Sequence, residues 1–152
     1  MSAWSKGAAE VERLVADGAL QRVPAARSSA PAMLRRARTV LASAGTLLAT
    51  DPDSAFVLAY DAARQAGAAL LAQQGLRATA KGGHKAVEDA LRAQFEPGFG
   101  NFNYLRRRRH ELEYPPPGSL ETSSLDEARE AVEDAGDIVD KAEQMSSHLD
   151  LF

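Results

Sequence analysis

Apolar residues recur three and four positions apart along nearly the whole chain, with polar residues between them. That is the period of an α-helix, not of a strand. The spacing predicts a short first helix over about Ser5–Ala16, stopped by Gly18, with Pro24 beyond it. A long helix follows, with Ser29 as N-cap, Pro31 in its first turn and Leu34, Val40, Leu41, Leu47 and Leu48 on one broad face. The next begins at Asp51 or Asp53 and ends at Gly75. Its Phe56, Tyr60, Ala63, Gly67, Leu70, Leu71 and Gln74 share a face, on which the small residues 63 and 67 let another helix come close.

After a basic loop, Leu76–Gly83, a helix is expected over His84–Phe95 with Val87 and Leu91 inward. The stretch Glu96–Gly100 reads as a turn. Another helix covers about Asn101–Glu113 and is stopped by Pro115, Pro116 and Pro117, which supply no amide donor. The last runs over about Ser124–His148, with Ser124 and Glu127 placed for a capping box. Its stripe is Leu125, Ala128, Val132, Ala135, Val139, Ala142 and Met145. No segment alternates with period two, so no strand is expected. The architecture predicted is all-α: an antiparallel four-helix bundle over residues 31–152, preceded by a short helix and linker over 1–30, in one domain.

Composition changes this picture little. At 152 residues the chain can bury a core without staples. It contains no cysteine, which removes disulfides, thiolate metal sites and a thiol nucleophile. Three scattered histidines give no zinc spacing, and neither metal nor cofactor is expected. No apolar run reaches the roughly 20 residues of a membrane span, and the N-terminus lacks a signal-peptide core, so a cytoplasmic protein is expected. The abundance of Ala and Arg points to a GC-rich bacterial genome.

Charge does change the picture. Met1–His110 carries 16 Lys and Arg against 9 Asp and Glu, whereas Glu111–Phe152 carries 2 against 12. The simplest consequence is an acidic final helix folded against a basic body. The basic half ends in Arg106-Arg107-Arg108-Arg109-His110. A helix turns 100° per residue, so these arginines fan out. Phe102, Leu105, Arg109 and Leu112 share a face, which puts Arg109 in an apolar stripe. A guanidinium there needs a partner, and Glu113 is one turn away. Arg107 and Arg108 go to solvent or to the acidic helix. Arg106 and Arg109 remain as phosphate ligands.

Three stretches in order, AYDAARQAGAALLAQQGLR, GGHKAVEDAL and LRRRRHELEYP, resemble the second bundle helix, the histidine-led helix and the motif helix of HEPN domains, the higher-eukaryote and prokaryote nucleotide-binding helical bundles. The resemblance covers roughly Ala32–Met145. It implies a homodimer with motif helices facing across the interface. Many HEPN proteins are metal-independent ribonucleases, often toxins of toxin–antitoxin pairs or parts of defence systems. Their signature is an arginine, usually a polar residue after it, and a histidine beyond an intervening stretch of four to six residues. Arg109 and His110 match its start, but Tyr114 stands where a histidine is expected.

A tyrosine titrates near ~10, against ~6.5 for histidine, and makes a poor base at neutral pH. The resemblance therefore implies a homodimeric nucleotide- or RNA-associated interaction module with little or no catalysis. The alternative is a metal-independent endoribonuclease in which Arg109 holds the scissile phosphate and His110 or Tyr114 moves the proton. In either reading Arg106, Arg77 and Lys81 would guide an RNA backbone. His84 would join Arg77 and Lys81 on a phosphate, or cap its helix. An antitoxin or another protein is a further expected partner, and a membrane is not.

Overall fold

The computed structural model describes residues 4–99 and 101–152; Met1, Ser2, Ala3 and Gly100, the last residue of the expected Glu96–Gly100 turn, lie outside it. The chain is predominantly helical. Its elements in order are α1 (Ala8–Ala16), β1 (Leu20–Arg22), a 3₁₀ helix (Pro24–Ser29), α2 (Ala30–Leu47), α3 (Pro52–Gln73), β2 (Leu76–Ala78), α4 (Gly83–Phe95), α5 (Phe102–Glu113) and α6 (Leu125–Ser146).

The central element is α3. Asp51 caps it, accepting from Ser54 N at 3.1 Å, and Gly75 ends it in the left-handed region at φ 72°. Alanines at 55, 59, 62, 63, 66, 69 and 72 join Phe56, Tyr60, Leu70 and Leu71 in burying the helix almost all round. Small side chains let neighbours approach from several directions, so α2, α4, α5, α6 and the 3₁₀ helix all pack on it. At Gly67 an added β-carbon would overlap Leu91 Cδ1 on α4, as the small-residue spacing predicts. The acidic helix α6 lays Ala128, Ala131, Ala135, Ile138, Val139 and Ala142 inward, and Ser124 Oγ accepts from Glu127 N at 3.0 Å.

Two expectations fail here. Leu76–Gly83 is not all loop: Leu76–Ala78 pairs antiparallel with Leu20–Arg22, Leu20 opposite Ala78 and Arg22 opposite Leu76. The ribbon is three residues per strand, too short for alternation to register in sequence. The Gly75 turn and the Val23 N to Gly75 O bond at 2.6 Å bring the strands together, and both leucines are buried. Ser29 makes no side-chain cap, because the 3₁₀ helix runs straight into α2 and leaves it in helical geometry at φ −87°.

Val11, Leu14 and Leu20 belong to the same core as α3 and α6. Trp4 Nε1 donates to Gln94 O at 3.2 Å and its ring lies 5.3 Å from that of Phe95. The C-terminus returns to α3: Leu149 is buried and Phe152 N donates to Gln74 O at 2.9 Å. No helix among the described residues is long and apolar enough to cross a membrane.

One polar contact lies inside this core. Gln74 Nε2 donates to Gln94 Oε1 at 2.7 Å and Gln94 Nε2 to Gln74 Oε1 at 3.0 Å, both side chains being fully buried. Removing one partner strands the other's donor and acceptor. Gln74→Leu is expected to lower the urea unfolding free energy by about 1–3 kcal/mol, and Gln74→Leu with Gln94→Met to recover much of it. An unchanged midpoint in the single variant would contradict this role.

Candidate functional site

The four consecutive arginines of α5 meet four different fates. Phe102 and Leu105 are buried and fix the rotation of the helix. Arg107 is exposed and makes no ion pair among the described residues. Arg106 pairs with Glu88 on α4, a carboxylate only 3% exposed that also accepts from Arg92 Nη2 at 2.5 Å.

Arg108 does not go to solvent. It pairs with Glu111 at 3.0 Å, Glu121 at 2.9 Å and Glu127 at 3.1 Å, and donates to Thr122 O at 2.9 Å. Burial pushes the Glu127 carboxyl up, but hydrogen bonds and charge from Arg108, with hydrogen bonds from Tyr104 and Ser123, hold it below the usual range. The Glu127 side chain is thus drawn to α5 while its own backbone N–H takes the Ser124 cap. This is how the acidic C-terminal segment meets the basic half. Arg38 on α2, which pairs with Asp140 and Glu143, repeats the pattern on another face.

Arg109 turns inward, as its place in the stripe predicts. One Nη lies 2.9 Å from a Glu113 carboxylate oxygen as an ion pair. Its guanidinium carbon lies 5.7 Å from the centre of the Tyr60 ring. The Nε is buried and has no acceptor among the described residues. Two further groups share this condition. Arg64 Nε, one turn along α3 from Tyr60, is buried without a hydrogen-bond partner, the nearest Asp61 oxygen being 3.9 Å away. The Tyr60 hydroxyl is also buried and unpartnered. Burial pushes its pKa up to about 12 against the opposing charges of Arg64, Arg109 and Arg106, so at neutral pH it is a hydroxyl donor.

His84, on the first turn of α4, completes the cluster. Its ring centroid lies 5.7 Å from that of Tyr60. It is not the helix cap, which is Gly82. Burial lowers its pKa from 6.5, and Arg64, Arg109 and Arg106 lower it further against the pull of Asp61. The imidazole is therefore neutral at pH 7. Three helices thus bring Tyr60, Arg64, His84 and Arg109 to one place, with more donors than acceptors.

The other expected ligands are elsewhere. Lys81 Nζ donates to Asp17 O at 2.6 Å and ties the β2–α4 connection to the end of α1. Arg77 is exposed on β2. His110 and Tyr114 are exposed, one turn apart on the helix, with ring centroids 5.1 Å apart and planes tilted by 38°. The sequence reading placed Tyr60 only in the core. Arg64 is expected from sequence either to pair locally with Asp61 or to reach Arg109, but the packing that brings Tyr60 and His84 to the same place is not legible there. No group of three or more metal-ligating side chains gathers among the described residues. Comparison with family models, curated proteins and solved structures returns no match for this chain.

The depressed His84 pKa makes a signed prediction. The unfolded imidazole takes up a proton near pH ~6.5, whereas the folded one resists until lower pH. The His84 share of stability is therefore complete above that value and is lost as pH falls toward the folded pKa. By NMR the His84 ring should titrate below 6.5. Arg64→Gln or Arg109→Gln should move its midpoint up. A midpoint at or above 6.5 that neither variant shifts would remove the electrostatic coupling.

Proposed function

We propose that the chain is a HEPN-like four-helix-bundle protein that holds phosphate groups of RNA or a nucleotide at Arg109, Arg64 and Tyr60, acts as a homodimeric interaction module and has little or no catalytic activity. One observation carries this reading: Arg64 Nε, Arg109 Nε and the Tyr60 hydroxyl are three buried donors in one cluster without acceptors. A phosphate supplies acceptors in that geometry and cancels the local surplus of positive charge. His84 donates or accepts beside it in its neutral form. Self-association is supported by the apolar side chains left exposed at and after the end of α5, namely Tyr114, Leu120 and Leu125.

The second reading, a metal-independent endoribonuclease, gains support from one arrangement. The histidine that shares the Tyr60 ring with Arg109 is His84, delivered from α4, and its lowered pKa leaves it free to accept a proton from a 2′-hydroxyl. His110 and Tyr114, exposed to solvent, are less well placed for that step.

Both readings are tested with a labelled single-stranded RNA in EDTA. Arg109→Gln should weaken binding by tenfold or more, about 1.4 kcal/mol, while Arg129→Gln on α6 should not. Equal affinity in wild type and Arg109→Gln would sink the binding site. RNA cleavage that is lost in both Arg109→Gln and His84→Gln would establish the second reading over the first. Sedimentation of the same samples should give a dimer, and a monomer at all concentrations would remove the dimeric part.

A further inference from the structure

Next to the cluster, a cavity of about 560 Å³ lies between the 3₁₀ helix, α2, α3, the β-ribbon and the start of α4. Its walls are mostly apolar: Met33 from α2, Leu71 from α3 and Val87 from α4 among them. The charged and titratable side chains lining it are Arg64, Arg77 and His84, and no carboxylate lines it among the described residues. Arg77 and His84 are both solvent-exposed, which places them at its mouth.

The volume is that of a small-molecule site, too small for a helix of a partner protein. An apolar wall gains little from a hydrated polyanion, and a nucleobase would find few side-chain partners for its polar edge. Of the two hydroxyls lining the cavity, Thr79 Oγ1 is already committed to Gly18 O at 2.6 Å, which leaves only that of Ser29. The walls instead match a hydrocarbon body, and the mouth matches a single anionic head. Asp61, 3.9 Å from Arg64, offsets part of the arginine charge, so the surplus suits one negative charge better than several.

We infer that this cavity binds a small amphipathic monoanion, with its hydrocarbon body against Met33, Leu71 and Val87 and its head at Arg64, Arg77 and His84. The cavity adjoins the phosphate cluster and shares Arg64 and His84 with it, while its apolar body and Arg77 lie outside that cluster. The head is a carboxylate, whose single charge and two oxygens suit the guanidinium groups. The apolar body provides most of the affinity and the head fixes orientation.

Decanoate is the probe, titrated by calorimetry into the full chain below its micelle concentration. It should bind one to one and saturably. Decan-1-ol, with the same body and no charge, should bind at least tenfold more weakly. Decyl phosphate, close to a dianion at pH 7, should bind markedly more weakly than decanoate, and equal binding would overturn the single-charge head. Inorganic phosphate, which can compete at Arg64 but lacks the apolar body, should displace decanoate only in large excess. Arg77→Gln should weaken decanoate at least tenfold, and Met33→Trp, which fills the cavity, should abolish binding while leaving RNA affinity unchanged.

A readout free of substitution is the methyl resonance of Met33 in wild-type protein. It should shift with decanoate while that of Met145, on α6, does not. Absence of binding, equal binding of decanoate and decan-1-ol, or a Met33 methyl that does not respond would each overturn the inference. None of these outcomes depends on whether RNA binds at Arg109.

Discussion

An arginine keeps its charge at any pH the fold survives, so every guanidinium drawn out of water must be met by acceptors. That constraint shapes one side of this molecule. Arg106 and Arg92 share the buried Glu88, and Arg108 takes three carboxylates and a carbonyl. Little is left for the face where α3 and α5 meet. Arg109 has one contact to Glu113 and Arg64 a long one to Asp61, and their Nε groups, like the Tyr60 hydroxyl, are buried without partners among the described residues. The donors there are not left over by accident of composition, since the acidic C-terminal segment carries acids in abundance. Those acids are spent on Arg108, Arg38 and other neighbours, because α6 packs along α2 and α3 and reaches α5 only at its own first turn.

The small side chains of α3 make this distribution possible. With alanine and glycine along most of its length, the helix accepts α2, α4, α5 and α6 at close range. It therefore carries Tyr60 and Arg64 to where α4 presents His84 and α5 presents Arg109. A bulkier α3 would hold these helices apart, and the cluster would be filled by solvent. The amphipathic cavity follows from the same arrangement. It opens where α3 ends at Gly75, the ribbon begins, and the 3₁₀ helix closes the far wall.

Local features of this structure were legible in the sequence. The Asp51 cap, the Gly75 stop, the inward Val87 and Leu91, and the Ser124 cap follow from chemistry within a few residues. So does the Arg109–Glu113 pair, which needs only helical geometry. The acid-on-base packing was legible from charge asymmetry, but its atomic form was not. Nothing local says that Glu127 chooses Arg108, or that its side chain abandons the reciprocal half of its own capping box. The ribbon was missed because three residues pair with three others more than fifty positions away. His84 was read beside Arg77 and Lys81, its sequence neighbours. Its important neighbours are Tyr60, Arg64 and Arg109, joined by tertiary packing alone, while Lys81 is turned aside to the end of α1.

The site stands or falls on two buried N–H bonds. Arginine Nε–H resonances can be followed one by one as inorganic phosphate is added at low ionic strength. The account predicts that those of Arg64 and Arg109 move together and saturably, while those of Arg108 and Arg13, already bound to carboxylates, stay in place. Movement of all exposed arginines alike, or no movement of Arg64 and Arg109, would contradict it.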